Sequence, residues 1–263
     1  VYTICSDGDV QEGVTAEACS LAGTQQLGNL IVFWDDNNIS IEDDTDIAFS
    51  ESVAKRYEAY GWQVLEVGSG EDVAALEQAI KLAKQDTSRP TFIRVQTVIA
   101  YPAPNAMNTG ASHGAALGEE EIRATKKFLG FDPDQHFHVD DKVLSHTREL
   151  VNRGAEAQQA WQKRFEAWAE KNPERKQLFD RMTAYELPEN FGENMPVWEP
   201  DAKGIATRKA SAEAIQVLAA QLPELWGGSA DLAGSNNTVI KGAPSFGPQS
   251  ISTDMWQADP LQG

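Results

Sequence analysis

Two short acidic motifs combine residue types that bind metals and phosphates. The first is Ser6-Asp7-Gly8-Asp9-Val10-Gln11-Glu12-Gly13, which follows an apolar run and opens a helical pattern. Asp7 offers a hard oxygen to a cation. Gly8 has no side chain and lets a phosphate reach the backbone at a helix N-terminus, where unpaired N–H groups favour an anion. The second motif, Asp35-Asp36-Asn37-Asn38-Ile39, ends another apolar run. Asn37 lies thirty residues after Asp7, about one strand–helix–strand circuit. Ligands of open parallel sheets collect at the carboxyl ends of the strands, so the crossover is expected to bring Asp7 and Asn37 to one edge. Mg²⁺ takes six oxygens and commonly draws some from a phosphate, so Asp7, Asn37, one backbone carbonyl, two diphosphate oxygens and a water complete a set. Each motif alone also reads as an ordinary turn or solvated loop. An EF-hand fits worse, because no Glu stands twelfth with a Gly sixth.

The elements that must position these motifs alternate. Residues 1–5, 29–34, 62–67 and 91–98 read as strands. Residues 15–27, 50–60 and 72–84 read as helices, with Ser50 as N-cap of the second and Gly61 as its stop. In the third, Val73, Leu76, Ala79, Ile80 and Ala83 share a face. Strands separated by such helices predict right-handed crossovers and a parallel sheet covered on both faces. Residues 99–117 break the rhythm with Pro, Asn and Gly, and a loop of that length in a compact domain is commonly functional. Helices follow at 119–129, at 143–169 (long, charged and exposed) and at 177–185. Three prolines and no period make 187–203 a linker between a first domain at 1–186 and a second at 204–263. The second domain opens with a helix at 206–220 and a strand at 224–230. Its remainder, rich in Ser, Asn, Gly and Pro, offers no closing element, so truncation is expected there. The chain opens on Val rather than Met, and truncation is expected at that end too.

The chain has 263 residues, of which 41% are hydrophobic, and a net charge of −18. Nucleic acid is excluded as a partner, because binding its phosphates calls for clustered Lys and Arg. No apolar run approaches the roughly 20 residues that cross a bilayer, and no basic leader precedes Val1, so a membrane partner is not expected. Cys5 and Cys19 form neither a disulfide framework nor a metal-ligand spacing, and read as reduced core thiols in a cytoplasmic protein.

Beyond these motifs the text is specific. Asp7-Gly8-Asp9-Val10-Gln11-Glu12-Gly13-Val14-Thr15-Ala16-Glu17-Ala18, Leu27-Gly28-Asn29-Leu30 and Ile39-Ser40-Ile41-Glu42 resemble the transketolases nearly residue for residue. So do Tyr57-Glu58-Ala59-Tyr60-Gly61-Trp62, Ser112-His113-Gly114-Ala115, Ala206-Thr207-Arg208-Lys209 and Gly227-Gly228-Ser229-Ala230-Asp231-Leu232. The similarity runs in the family's order through almost the whole chain. It covers the latter part of a diphosphate-binding domain, a linker and the start of a pyrimidine-binding domain. Ser6 stands where the family's signature usually has Gly, and Ala100 where it usually has Gly.

The resemblance implies an α/β thiamine diphosphate-binding fold, with a parallel sheet between helices and the start of a second α/β domain. It implies transfer of a two-carbon ketol unit from a ketose phosphate to an aldose phosphate, such as xylulose 5-phosphate and ribose 5-phosphate, in the pentose phosphate pathway. The cofactors implied are thiamine diphosphate and Mg²⁺ or Ca²⁺, and the assembly a homodimer. Asp7, the Asn37 side chain and the Ile39 carbonyl are implied as metal ligands. Gly8 is implied to bind the diphosphate through its N–H, and Asp231 to lie near the cofactor. His113 is implied to approach both diphosphate and donor sugar, with a catalytic part. Arg208 and Ser235 are implied to grip the sugar phosphate. Glu12 and Glu17 resemble an acidic cluster between the two active sites of a dimer. The Gly-Ile-Arg-Glu-His stretch that precedes the family's proton-relay Glu is not in this sequence, so the chain alone is expected to be inactive. Two alternatives share parts of this reading: a sister thiamine diphosphate enzyme such as dihydroxyacetone synthase, and a non-catalytic relative.

Overall fold

The computed structural model describes residues 1–248. They fall into two compact units, Val1–His138 (with the described residues from Phe246 on) and Val139–Ser245.

The first unit is built on four parallel strands: β1 (Tyr2–Ser6), β2 (Ile31–Asp36), β3 (Gln63–Val67) and β4 (Thr91–Gln96), in the order β1-β2-β4-β3. Connecting them are α1 (Asp7–Gln11) with α2 (Gly13–Thr24), then α3 (Val53–Ala59), then α4 (Val73–Gln85). α5 (Glu119–Phe128) follows β4. Alternation along the strands divides the core. Val32, Trp34 and Phe92 pack with Val10, Ala22, Val53, Tyr57 and Trp62. Ile31, Ile93, Val95 and Val67 pack with Ala79 and Ala83 of α4 on the other side. The two clusters are the two covered faces the alternation predicts. Aromatic rings dominate the first: Tyr57 stacks on Phe92 at 3.7 Å between centroids and meets Trp62 edge-on at 5.2 Å. Burying each such side chain contributes roughly 1.5–3 kcal/mol.

Close approaches tie α2 to the end of α3, and the turn before β2 to the turn after α4. A Cβ on Gly23 would stand 1.9 Å from the Tyr60 carbonyl oxygen, and one on Gly28 1.9 Å from that of Thr87. α3 stops where expected: Gly61 takes the left-handed backbone (φ +85°) that its lack of a Cβ permits.

Several expectations need correction. The N-cap of α3 is Ser52, whose hydroxyl accepts from the Lys55 N–H at 3.4 Å, and not Ser50. Val73 is 73% exposed, because α4 turns only its Ala79–Ala83 stripe fully onto the sheet. β4 ends at Gln96 rather than residue 98. The strand expected at 224–230 is absent among the described residues, which run there through turns and irregular backbone. A strand exists only by pairing, and nothing described in its unit is a strand it could pair with.

The second unit is helical: α6 (Asp141–Lys171), α7 (Pro173–Thr183), α8 (Thr207–Gln221) and α9 (Ala233–Asn236). Trp161, Phe165 and Trp168 form a stacked row along α6, and Phe179 of α7 leans on Phe165 at 5.3 Å. Arg181 clamps both carboxylate oxygens of Glu224 at 2.7 and 2.8 Å. Residues 187–203 form turns without regular structure. The second expected domain reaches residue 263, and its last part lies outside the described residues.

Candidate functional site

β1 and β2 run in register, Ser6 opposite Asp35, so their carboxyl ends open on the same edge. Asp7 begins α1 there and is 4% exposed. The loop after β2 closes over it. The Asn37 and Asn38 N–H groups donate to Asp7 Oδ2 at 3.1 and 3.0 Å, and the Trp34 indole N–H donates to Oδ1 at 3.1 Å. The crossover thus brings Asp7 and Asn37 together. A carboxylate has about four lone-pair sites. Three are taken, and the one left is on Oδ1.

No Lys or Arg among the described residues pairs with Asp7, unlike its neighbour Asp36, which is 1% exposed and receives Arg94 Nε at 2.5 Å. Burial pushes the Asp7 carboxyl above its ordinary value and Asp36 adds repulsion, while the N–H bonds from Asn37, Asn38 and Trp34 pull the other way. A buried carboxylate with a spare lone pair and no cation of its own is a fit for a metal ion.

The remaining donors fit as well. The Asn37 side-chain oxygen accepts the Ile39 N–H at 3.0 Å, which folds the loop back on itself. The loop is closed by Thr45 N–H on the Asn38 carbonyl at 3.0 Å and Ser40 N–H on the Asp43 carbonyl at 2.8 Å, and neither bond uses the Ile39 carbonyl. Gly8 lies in the first turn of α1, where N–H groups have no intrahelical partner. A Cβ there would meet only Ser6 Oγ, at 3.9 Å. The chain's own packing does not demand a glycine at this position, and the open space suits an approaching phosphate. Asp9 caps the turn, accepting from Ser6 N and Oγ at 2.8 and 2.9 Å. No group of three or more His, Cys, Asp or Glu among the described residues could hold a metal unaided. The donor set therefore suits a metal that arrives with oxygens of its own, as a metal–diphosphate does.

The loop at 99–117 folds onto this edge. A Cβ on Gly110 would stand 3.2 Å from the Ser40 carbonyl oxygen and 3.3 Å from that of Ile41. His113 follows directly, exposed, with its N–H on the Gly110 carbonyl at 3.1 Å. The Glu121 carboxylate holds the loop by accepting from Asn105 N, Asn105 Nδ2 and Ala106 N at 2.6–3.0 Å.

In the second unit, Arg208 stands in the first turn of α8, and its Nη1 donates to the Ser235 carbonyl at 3.2 Å. Both residues are exposed, and a guanidinium carries further donors beyond that one. Asp231 is exposed and, with Ala230, holds a left-handed backbone (φ +68° and +41°) that side chains avoid unless the surroundings impose it. Glu12 and Glu17 are both exposed. Sequence reasoning missed the participation of Trp34, Asp36 and Arg94. One signal was available: a buried indole N–H needs an acceptor, and Trp34 precedes two acids.

Similarity to known proteins extends over most of the chain. Residues 1–188 match the family model described as transketolase, thiamine diphosphate binding domain, and residues 203–255 match transketolase, pyrimidine binding domain. A transketolase of Mycobacterium tuberculosis is 59% identical over 258 residues, covering 98% of this chain and 37% of the relative. One of Geobacillus stearothermophilus is 42% identical over 250 residues, 95% of this chain and 37% of its own length. The crystal structure of a Pichia stipitis transketolase in complex with sedoheptulose 7-phosphate superposes with a TM-score of 0.89 at 41% identity, covering 95% of this chain and 37% of that one. The chain thus spans a little over a third of the length of these relatives.

Proposed function

The chain belongs to the transketolase family, and on that premise we propose that the whole protein transfers a two-carbon ketol unit from a ketose phosphate to an aldose phosphate. Thiamine diphosphate, with Mg²⁺ or Ca²⁺, would supply a carbanion and an electron sink for the cleaved fragment. The observation that carries the reading is the buried Asp7 carboxylate, closed over by the Asn37–Asn38 loop and lacking a protein cation among the described residues.

Asp7, the Asn37 side chain and the Ile39 carbonyl would hold the metal, and the Gly8 N–H the diphosphate. The loop carrying His113 packs on the Ser40–Ile41 backbone, which supports a place for His113 beside the donor sugar. A neutral imidazole there can donate, accept or shuttle a proton. Arg208, at a helix N-terminus and next to Ser235, suits a phosphate, because its planar fork matches phosphate oxygens. The left-handed backbone at Asp231 supports a role near the cofactor.

We assign residues 1–186 to the diphosphate domain, 187–203 to a linker and 204–263 to the start of a pyrimidine domain. The exposed Glu12 and Glu17 suit a face shared by two subunits, and a homodimer follows from the same reading. The free thiols of Cys5 and Cys19 suit a cytoplasmic setting. None of the helices among the described residues is long and apolar enough to cross a membrane. The test is turnover of xylulose 5-phosphate with ribose 5-phosphate by the full-length protein. Activity that requires both thiamine diphosphate and a divalent ion is expected, and its absence would overturn the proposal.

A further inference from the structure

We propose that Trp34 is a positioning residue for the metal ligand Asp7: its indole N–H selects which lone pair of the carboxylate is presented to the cation. The inference rests on the metal reading of Asp7 given above.

Four observations carry it. The Trp34 indole N–H donates to Asp7 Oδ1 at 3.1 Å, on the oxygen that retains a free lone pair. The Asn37 and Asn38 N–H groups occupy Oδ2. Without the indole the carboxylate would keep two free positions on Oδ1 and could tilt about the Oδ2 anchor. Next, the indole itself is held on more than one side. Phe92 stacks on it at 5.8 Å between centroids, and the Arg94 guanidinium lies 5.5 Å from the ring. Arg94 is in turn fixed on the buried Asp36 at 2.5 Å. Finally, strand alternation puts Trp34 and Asp36 on one side of β2, in parallel register with Arg94 and Gln96 of β4. Trp34 therefore serves two ends. Its ring fills the aromatic core, and its one polar atom reaches the ligand.

Partners that orient metal ligands are commonly worth 10–100-fold in metal affinity. A purely structural role would not produce that effect selectively, and the fold supplies a control. Trp62 lies in the same aromatic cluster, is 2% exposed, and donates its indole N–H to the Cys19 carbonyl at 2.8 Å, away from Asp7. Trp62→Phe removes the same atoms from the same core without touching the carboxylate.

The experiment titrates the full-length protein with Mg²⁺ at saturating thiamine diphosphate. Binding is read by intrinsic fluorescence and by circular dichroism of the bound cofactor, with folding followed by urea unfolding. Trp34→Phe is expected to raise the Mg²⁺ midpoint about tenfold or more, while Trp62→Phe stays within about twofold of the parent. Trp34→Tyr, which restores a donor, is expected to fall between Trp34→Phe and the parent. Because these two variants differ by a single hydroxyl, they separate the hydrogen bond from ring volume even where both lose stability. A Trp34→Phe midpoint equal to the parent's, or an equal shift in Trp62→Phe, overturns the inference and leaves the metal site standing. A parent that binds thiamine diphosphate with no dependence on Mg²⁺ overturns the metal reading, and the inference with it.

Discussion

At the scale of single residues, the site depends on one buried charge. Asp7 accepts three hydrogen bonds and meets no protein cation among the described residues. Asp7→Asn keeps the shape but removes the charge, and its amide would face at least one N–H donor. We expect thiamine diphosphate affinity to fall more than about 100-fold in Asp7→Asn of the full-length protein. His113→Ala should cost about tenfold, the scale of one hydrogen bond to a charged group. Fluorescence titration with the cofactor compares them, and an equal or larger loss in His113→Ala would reverse the two roles. The meeting of Asp7 with Asn37 was legible in the spacing, because a parallel crossover returns the chain to the same edge and thirty residues are enough for the circuit. Arg94 was not legible, since its partner Asp36 lies 58 residues away on a neighbouring strand and only the pairing register aligns them. The part Trp34 plays was missed for another reason. A tryptophan at the end of an apolar strand looks like core, which it is, and periodicity is blind to its one polar atom.

At the scale of elements, glycine positions separate packing from propensity. The Cβ of Gly23→Ala would strike the backbone oxygen of Tyr60, and backbone cannot swing aside as a side-chain tip can. A loss of about 3 kcal/mol or more is expected. Gly154 sits inside α6 with nothing within 4 Å of a built Cβ, so Gly154→Ala should gain about 1 kcal/mol from helix propensity alone. Urea unfolding reads both, and their opposite signs are the test. A second prediction concerns the cluster joining β1, α2 and α3. Burial raises the Cys5 thiol to about 12 from 9.0. It raises Cys19 and Tyr57 too, and these two share a hydrogen bond at 3.3 Å. All three hold their protons more tightly folded than unfolded. Their contribution is therefore complete below pH 9.0 and is lost as pH rises toward about 12. The thermal midpoint should fall steeply between about pH 9 and about pH 12, and Tyr57→Phe should remove part of that slope. Helices and strands of the first unit were legible because apolar periodicity there reports real faces. Their ends were less so: Ser50 and Ser52 are equally good caps by type, and only the hydrogen bond to Lys55 tells them apart. The expected strand at 224–230 failed because hydrophobic text names a segment that could pair, and the pairing must come from elsewhere.

At the scale of the whole molecule, two opposing features set the behaviour of the 263-residue chain in solution. One is the net charge of −18, which keeps copies apart. The other is apolar surface. Among the described residues β1 pairs only with β2, so its outer edge presents unpaired backbone groups. On the same strand Tyr2 is 56% and Ile4 77% exposed, and with Thr3, Phe33 and Ile80 they line one depression. An open edge beside exposed apolar side chains is a template for association. Charge repulsion is screened as ionic strength rises, because the Debye length shrinks from about 10 Å at 0.1 M to about 3 Å at 1 M, whereas burial of apolar surface is not weakened by screening. The chain is therefore expected to be largely monomeric at low salt and to associate as salt is added, the reverse of an assembly held by ion pairs. Sedimentation velocity across that range measures it. Ile4→Lys places a charge on the exposed edge, a device that natural edge strands use against pairing, and should move the onset of association to markedly higher salt. The substitution should leave the core intact, because Ile4 is not a member of either buried cluster. If Ile4→Lys associates at the same salt concentration as the parent, contact is made elsewhere on the surface and the β1 edge is not the template.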